Sequence, residues 1–336
     1  MTTRVAINGF GRIGRMLLRA AHESGRSDIE IVAINDLADL ETNAFLLRHD
    51  STHGAFPGEV TVKDSKLDLG RGPIQCFSER DPAKLPWKDL NIDVALECSG
   101  VFTARDDAAK HLTAGAKKVL VSAPAKGADK TIVVGVNENE LSPEHEVISN
   151  ASCTTNCLAP VVKVMNDTIG VERGYMTTVH SFTGDQRLVD TMHKDMRRAR
   201  AAADNIIPTS TGAAKAVGLV IPSLAGKIDG TAIRVPTVNV SLIDFKFDAS
   251  RATDAEEVKK ALRNAASGPM KGVLGISDEP LVSRDFNHNP NSSTVDIDET
   301  QVIDGSLVRV MSWYDNEWGF SNRMCDAAAA VGKLVK

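Results

Sequence analysis

Arg4-Val5-Ala6-Ile7-Asn8-Gly9-Phe10-Gly11-Arg12-Ile13-Gly14 opens the chain as an apolar run that breaks into G-x-G-x-x-G, and helical spacing follows at once over residues 13–22. Strand, glycine turn and helix in that order form the start of a dinucleotide-binding unit. Gly9 permits the tight turn, Gly11 lets backbone approach a pyrophosphate, and Gly14 lets helix and strand pack closely. The helix N-terminus then faces the phosphates. A second apolar run, 29–34, leads to Asn35-Asp36, 22 residues beyond Gly14. A carboxylate there accepts from both ribose hydroxyls and repels the extra phosphate of NADP, so the expected cofactor is NAD.

Outward from this turn, short β-branched runs at 93–97 and 118–121 alternate with a helical stretch at 104–114. Such alternation implies right-handed crossovers and a parallel sheet. Residues 59–77 read instead as a hairpin-rich insertion, with turn signals at Lys63-Asp64-Ser65 and Arg71-Gly72-Pro73. After Ala151 the pattern changes. A helix over 153–168 precedes long alternating runs at 175–181, 231–236, 239–247 and 307–313, with amphipathic helices at 254–266 and 321–334. Residues 182–206 carry charge without a clean period and read as a long functional loop with some helix. The fold class is therefore α/β: a Rossmann-type parallel-sheet domain, 1–151 with 317–336, plus an α+β catalytic domain, 152–316, with a mostly antiparallel sheet. The terminal helix is expected to pack back on the first domain.

The 336 residues suit two domains, and 39 Lys+Arg against 44 Asp+Glu leave a net charge of −5. That balance argues against nucleic acid as the main partner. No stretch has the ~20 apolar residues of a membrane helix, and the opening residues resemble no signal or transit peptide. Five scattered cysteines, an odd number, favour a reducing, cytoplasmic setting.

Among those five, Cys153 stands in Ser149-Asn150-Ala151-Ser152-Cys153-Thr154-Thr155 at the start of a helix, where the positive helix end favours a thiolate. His180, ending an apolar strand 27 residues later, is the best candidate for its base. Cys157 lies one helical turn from Cys153. Lacking two further ligands nearby, the pair makes no zinc site, and no metal is expected. Arg234 interrupts an apolar run where a charge needs a partner. By sequence alone, Arg197-Arg198-Ala199-Arg200 reads as a solvated basic face, Arg80 as a loop charge and Asn316 as a turn residue.

The segment Ala151-Ser152-Cys153-Thr154-Thr155-Asn156-Cys157, with the opening glycine turn, strongly resembles the phosphorylating glyceraldehyde-3-phosphate dehydrogenases. So do 50–54, 180–186, 197–203, 208–215 and 313–319, in order along the whole chain. The resemblance implies Cys153 as the nucleophile that forms a hemithioacetal and then a thioester. His180 acts as thiol activator and acid/base, its imidazolium lowering the thiol pKa. Glyceraldehyde 3-phosphate and inorganic phosphate are the implied substrates, with NAD reduced. Implied substrate and phosphate contacts are Ser152, Thr154, Thr183, Arg198, Thr211, Gly212 and Arg234. Implied cofactor contacts are Arg12, Ile13, Asp36, Arg80, Ser122 and Asn316, the last holding the nicotinamide carboxamide. Family members are typically homotetramers, with a loop matching 181–206 between subunits. Two positions depart from the usual NAD pattern: Thr191-Met192 replace Leu-Pro, though Leu37 after Asp36 still favours NAD. An erythrose-4-phosphate dehydrogenase is the nearest enzymatic alternative. A cysteine–histidine hydrolase that merely binds a nucleotide is an alternative of another class, and so is a nucleotide- or RNA-binding protein with vestigial activity.

Overall fold

Thr3–Asn8 forms the central strand of a nine-stranded sheet, in a computed structural model that describes residues 2–335. Val5, Ala6 and Ile7 are fully buried, as a strand covered on both faces must be. It pairs in parallel with Ile29–Asn35 on one side and Val94–Glu97 on the other, which places Asn8 level with Asn35 and with Glu97. Beyond Val94–Glu97 the parallel sheet continues through Lys118–Val121, Val147–Ser149 and Lys130–Thr131. Beyond Ile29–Asn35 come Pro73–Phe77 and then the antiparallel strands Lys66–Asp68 and Thr61–Lys63. These last are the expected hairpins. Asp64 and Ser65 take positive φ (50° and 58°) in the first turn, and Gly72 (104°) in the second.

Arg12–Glu23 is the helix expected after the glycine turn, with Met16 and Leu17 buried. The helix expected over 104–114 is divided into Arg105–Ala108 and Lys110–Thr113. The chain up to Ser152 and the stretch from Ser321 onward make one compact unit, and Cys153–Phe320 makes the other. The terminal helix Trp318–Gly332 brings Cys325 to the Leu17 carbonyl, 3.7 Å away, and Asp326 to Arg26, 2.9 Å away.

The second unit holds a seven-stranded sheet ordered Ile207–Ser210, Ile228–Val235, Val171–Ser181, Ser241–Ala249, Leu307–Tyr314, Ser293–Ile303 and Leu274–Ser277. Four of its six pairings are antiparallel. The exceptions are Val171–Ser181 with Ile228–Val235, and Leu274–Ser277 with Ser293–Ile303. Helix Cys153–Thr168 forms as expected, with residues 157–162 wholly buried. The helix expected within 182–206 is absent. Aspartates organise that segment as turns instead: Asp190 pairs with Arg200 at 2.7 Å, and Asp195 caps the Arg197 N–H at 2.9 Å. Among the described residues no helix is long and apolar enough to cross a membrane.

Candidate active site

In the first unit the glycine turn is built as its residue types require. Gly9 has φ +92°, and a Cβ there would lie 2.5 Å from the Ser99 backbone. A Cβ on Gly14 would strike the Gly9 carbonyl at 2.2 Å, whereas one on Gly11 would meet nothing within 4 Å. Gly9 and Gly14 thus serve packing, and Gly11 faces open space. Gly11 also caps the helix without a side-chain bond, and no acid stands in the first turn, so the helix end suits an anion.

Asp36 is held beside this turn. Its carboxylate accepts from the Phe10 N–H at 2.6 Å and the Ala38 N–H at 2.9 Å. Gly9, Gly11, Asp36, Leu37, Arg80 and Ser99 line one cleft. An acid, an open glycine and a helix end in one cleft fit an adenine dinucleotide with free ribose hydroxyls. Ile13 and Ser122 are not among the residues that line it; Ser122 donates its N–H to the Glu97 carbonyl at 2.9 Å.

Arg12 points its guanidinium at Asp50. Burial alone pushes the Asp50 carboxyl up. The Arg12 hydrogen bond and the His53 and Thr52 N–H groups outweigh it and hold it at about 2. Because the folded value lies below the ordinary 3.8, this pair stabilises the fold above pH 4, and the contribution is lost as pH falls toward 2. Asp50→Asn is expected to cost roughly 1–2 kcal/mol at neutral pH and progressively less as pH falls through the folded value, read by denaturant melts at pH 7 and pH 3.

In the second unit Cys153 is the first residue of its helix, and its Sγ lies 3.6 Å from His180 Nε2. His180 Nδ1 sits 2.6 Å from the Ser181 carbonyl, an oxygen that can only accept. Arg234 Nη1, which can only donate, stands 3.0 Å from Nδ1 as well and is bonded to that carbonyl; with the hydrogen on Nδ1 both groups donate to the carbonyl and Nε2 faces the thiol with its lone pair. The parallel pairing sets Arg234 directly beside His180, and Arg234 donates to the same carbonyl at 2.9 Å. Tyr314 meets the imidazole edge-on, ring centres 5.8 Å apart.

Burial, reinforced by Arg234 and Arg198, pushes His180 down to about 3. Both effects oppose an imidazolium while the thiol beside it is protonated; a Cys153 thiolate 3.6 Å away would favour one. Burial also pushes the Cys153 thiol up; the Arg234 guanidinium and hydrogen bonds at the helix start pull it back. Cys76 (about 11) and Cys98, Cys157 and Cys325 (about 12) are raised by burial. Among the described residues only Cys153 has an imidazole at hydrogen-bonding range. A poised pair of this kind suits nucleophilic attack with the proton passing to Nε2.

Asn316 joins the same cluster. Its Oδ1 accepts from Ser181 Oγ (2.9 Å) and Ser241 Oγ (3.0 Å), which leaves Nδ2 as its donating end. The turn role open to it in the sequence belongs to Asp315, whose carboxylate takes the Glu317 and Trp318 N–H groups and starts the terminal helix. Thr154 stands beside the thiol, which its side chain and N–H both reach, and its hydroxyl also bonds the Tyr314 hydroxyl at 2.9 Å, which in turn bonds Thr178. Arg198 is no solvated face. It donates to Asp185 at 2.6 Å and to Thr209 Oγ1 at 3.0 Å, beside the strand that leads to Thr211 and Gly212. A Cβ on Gly212 would meet nothing within 4 Å, so this loop is open. Thr183 lies in the turn after the His180 strand, where its carbonyl accepts from Gln186 N–H at 2.9 Å. Ser152 is half-buried at the start of the thiol helix.

Sequence reasoning missed Ser181, Ser241 and Tyr314 as members of this cluster. The available signal was a hydroxyl at an inward position of an otherwise apolar strand, as in Asn239-Val240-Ser241-Leu242-Ile243.

Comparison with known proteins bears on this geometry. Family models for the NAD-binding domain and the C-terminal domain of glyceraldehyde 3-phosphate dehydrogenase match residues 3–105 and 152–316. Glyceraldehyde-3-phosphate dehydrogenase of Xanthobacter flavus is 67% identical, covering 99% of this chain and 100% of its own. Those of Cereibacter sphaeroides and Zymomonas mobilis are 62% and 58% identical, with both chains covered in full.

Proposed function

The chain belongs to the glyceraldehyde-3-phosphate dehydrogenase family, and from that premise we propose that it oxidises glyceraldehyde 3-phosphate to 1,3-bisphosphoglycerate through Cys153 and His180, with NAD and inorganic phosphate. The observation that carries the reading is the Cys153 sulfur 3.6 Å from His180 Nε2 at the start of a helix.

Bound NAD supplies the hydride acceptor. Cys153 adds to the aldehyde carbon while its proton passes to His180 Nε2 and on to the carbonyl oxygen, giving a hemithioacetal. His180 takes that hydroxyl proton back as the hydride departs, and the acyl group is left on sulfur as a thioester. Arg234 beside the ring makes the imidazolium costly, which favours prompt release of the proton. A thioester keeps the energy of oxidation that an oxygen ester would dissipate, so phosphate can take the acyl group and restore the thiol.

Two phosphate positions fall to Ser152, Thr154, Thr183, Arg198, Thr211, Gly212 and Arg234. Thr154 contributes backbone rather than its committed hydroxyl, and the guanidinium forks and short hydroxyls match phosphate oxygens. Asn316 Nδ2 receives the nicotinamide carboxamide. Gly9, Gly11, Arg12, Ile13, Gly14, Asp36, Arg80 and Ser122 serve the rest of the dinucleotide within residues 1–151 and 317–336. Residues 152–316 hold the substrate.

A homotetramer in the cytoplasm completes the reading. Leu188, Val189, Met192, Met196 and Ile206 are each at least 70% exposed on residues 182–206, an apolar surface that copies of the chain would cover. Five free cysteines suit a reducing compartment.

The direct test follows NADH absorbance with glyceraldehyde 3-phosphate and, separately, erythrose 4-phosphate. Sustained NADH formation is expected with the first and requires added phosphate. Faster turnover of erythrose 4-phosphate, or turnover indifferent to phosphate, would overturn the assignment.

A further inference from the structure

Glu97 is a carboxylate 1% exposed, with no lysine or arginine on it among the described residues. It ends the strand Val94–Glu97, at the carboxyl edge of the parallel sheet where open α/β sheets bind ligands. Four donors converge on it. Oε2 takes Asn8 Nδ2 at 2.6 Å and His111 Nε2 at 3.0 Å; Oε1 takes the Ser99 N–H at 2.8 Å and the Ser99 hydroxyl. His111, wholly buried, is itself oriented: Trp87 Nε1 donates to its Nδ1 at 3.0 Å, so Nε2 bears the hydrogen that Glu97 accepts.

The bonds continue toward the cleft. Asn8 Oδ1 accepts from Asn35 Nδ2 at 2.7 Å. Asn35 clasps Glu79 twice, at 2.8 Å in each direction. Each residue tied in this way stands immediately before a residue of the cleft: Asn8 before Gly9, Asn35 before Asp36, Glu79 before Arg80. Ser99 supplies the backbone that confines Gly9. A buried carboxylate is costly, and apolar side chains would pack this sheet edge at lower cost. What the carboxylate provides is a fixed relation among four separate backbone turns.

We propose that Glu97, oriented by His111, is a positioning residue for the dinucleotide: it sets the glycine turn, the ribose-binding acid and Arg80 in one geometry without touching the ligand. This rests on the reading of NAD as cofactor, so wild-type protein is titrated with NAD first by calorimetry. Absence of binding there would overturn the cofactor reading and not the network.

Glu97→Gln keeps the shape but turns an amide NH2 toward donors. The NAD dissociation constant is expected to rise about tenfold or more, with kcat at saturating NAD and KM for the aldehyde held within about twofold. His111→Leu, remote from the cleft, is expected to raise the constant severalfold, and His111→Gln, which can still donate to Glu97 and accept from Trp87, to restore most of it. Ser99→Ala, at an exposed position, removes one donor to Glu97 together with the acceptor of the Val101 N–H and is expected to raise it about threefold without risk to folding. Because Ser99 lines the cleft, the rescue by His111→Gln is what separates positioning from contact. The proposal is overturned if the constant is unchanged in the folded variants. It is equally overturned if kcat and melting temperature fall and aldehyde KM rises in step with the loss of affinity and His111→Gln rescues nothing.

Discussion

Cys153→Ser is expected to lower NADH formation by about 10⁴-fold or more while NAD still binds with near wild-type affinity. The reason lies in the second unit's geometry. A serine hydroxyl at the same helix start has the same imidazole 3.6 Å away, but it is a far weaker acid and nucleophile than a thiol. An ester formed on it would also resist transfer to phosphate. Calorimetric titration with NAD separates loss of chemistry from loss of binding, since the glycine turn and Asp36 are untouched. If the serine variant oxidised the aldehyde at a near-normal rate, the nucleophile would have to be another group, and the four other thiols are all buried or pushed well above neutrality.

The second large effect concerns His180→Asn. Removal of a general acid–base typically costs 10²–10⁴-fold, and turnover is expected to fall by about that range. A more specific signature is the pH dependence of Cys153 alkylation. In the wild type Nε2 stands 3.6 Å from the sulfur, placed to share the thiol proton and to hold the ionised pair, so alkylation is expected near neutrality. Without it the thiol is left with the upward push of burial, and the alkylation profile is expected to move to higher pH. A profile that stayed in place would show that Arg234 and the helix end alone set the thiol's reactivity, and His180 would lose its role.

How much of this was legible from residues depended on whether the constraint was local. The turn at Gly9–Gly14 could be read because backbone crowding restricts residue type directly: Gly9 needs φ +92° and Gly14 faces a carbonyl. Asp36 followed from its distance along a βαβ unit, and the thiol helix from a short polar motif at its start. The hairpins at 61–77 announced themselves through turn residues that took positive φ.

Non-local facts were not legible. Nothing local reveals that Val171–Ser181 pairs in parallel with Ile228–Val235, yet that register puts Arg234 beside His180, where it adds to burial in lowering the imidazole's pKa. A broken apolar run marked Arg234 and the resemblance marked Asn316, but neither gave the Ser181 carbonyl and hydroxyl that hold them. Strand Ser293–Ile303 escaped notice because Asp296, Asp298 and Glu299 mask its alternation. Residues 182–206 lack a clean period and read as a loop with some helix; aspartate side chains satisfy their backbone as turns.

The most direct test of Cys153 as the carrier of the acyl group is one turnover without inorganic phosphate, followed by digestion and mass spectrometry. The expected result is a burst of one NADH per active chain and a phosphoglyceroyl group on the peptide that contains Cys153, discharged when phosphate is added. Continued NADH formation without phosphate, or the acyl group on any other residue, would contradict it.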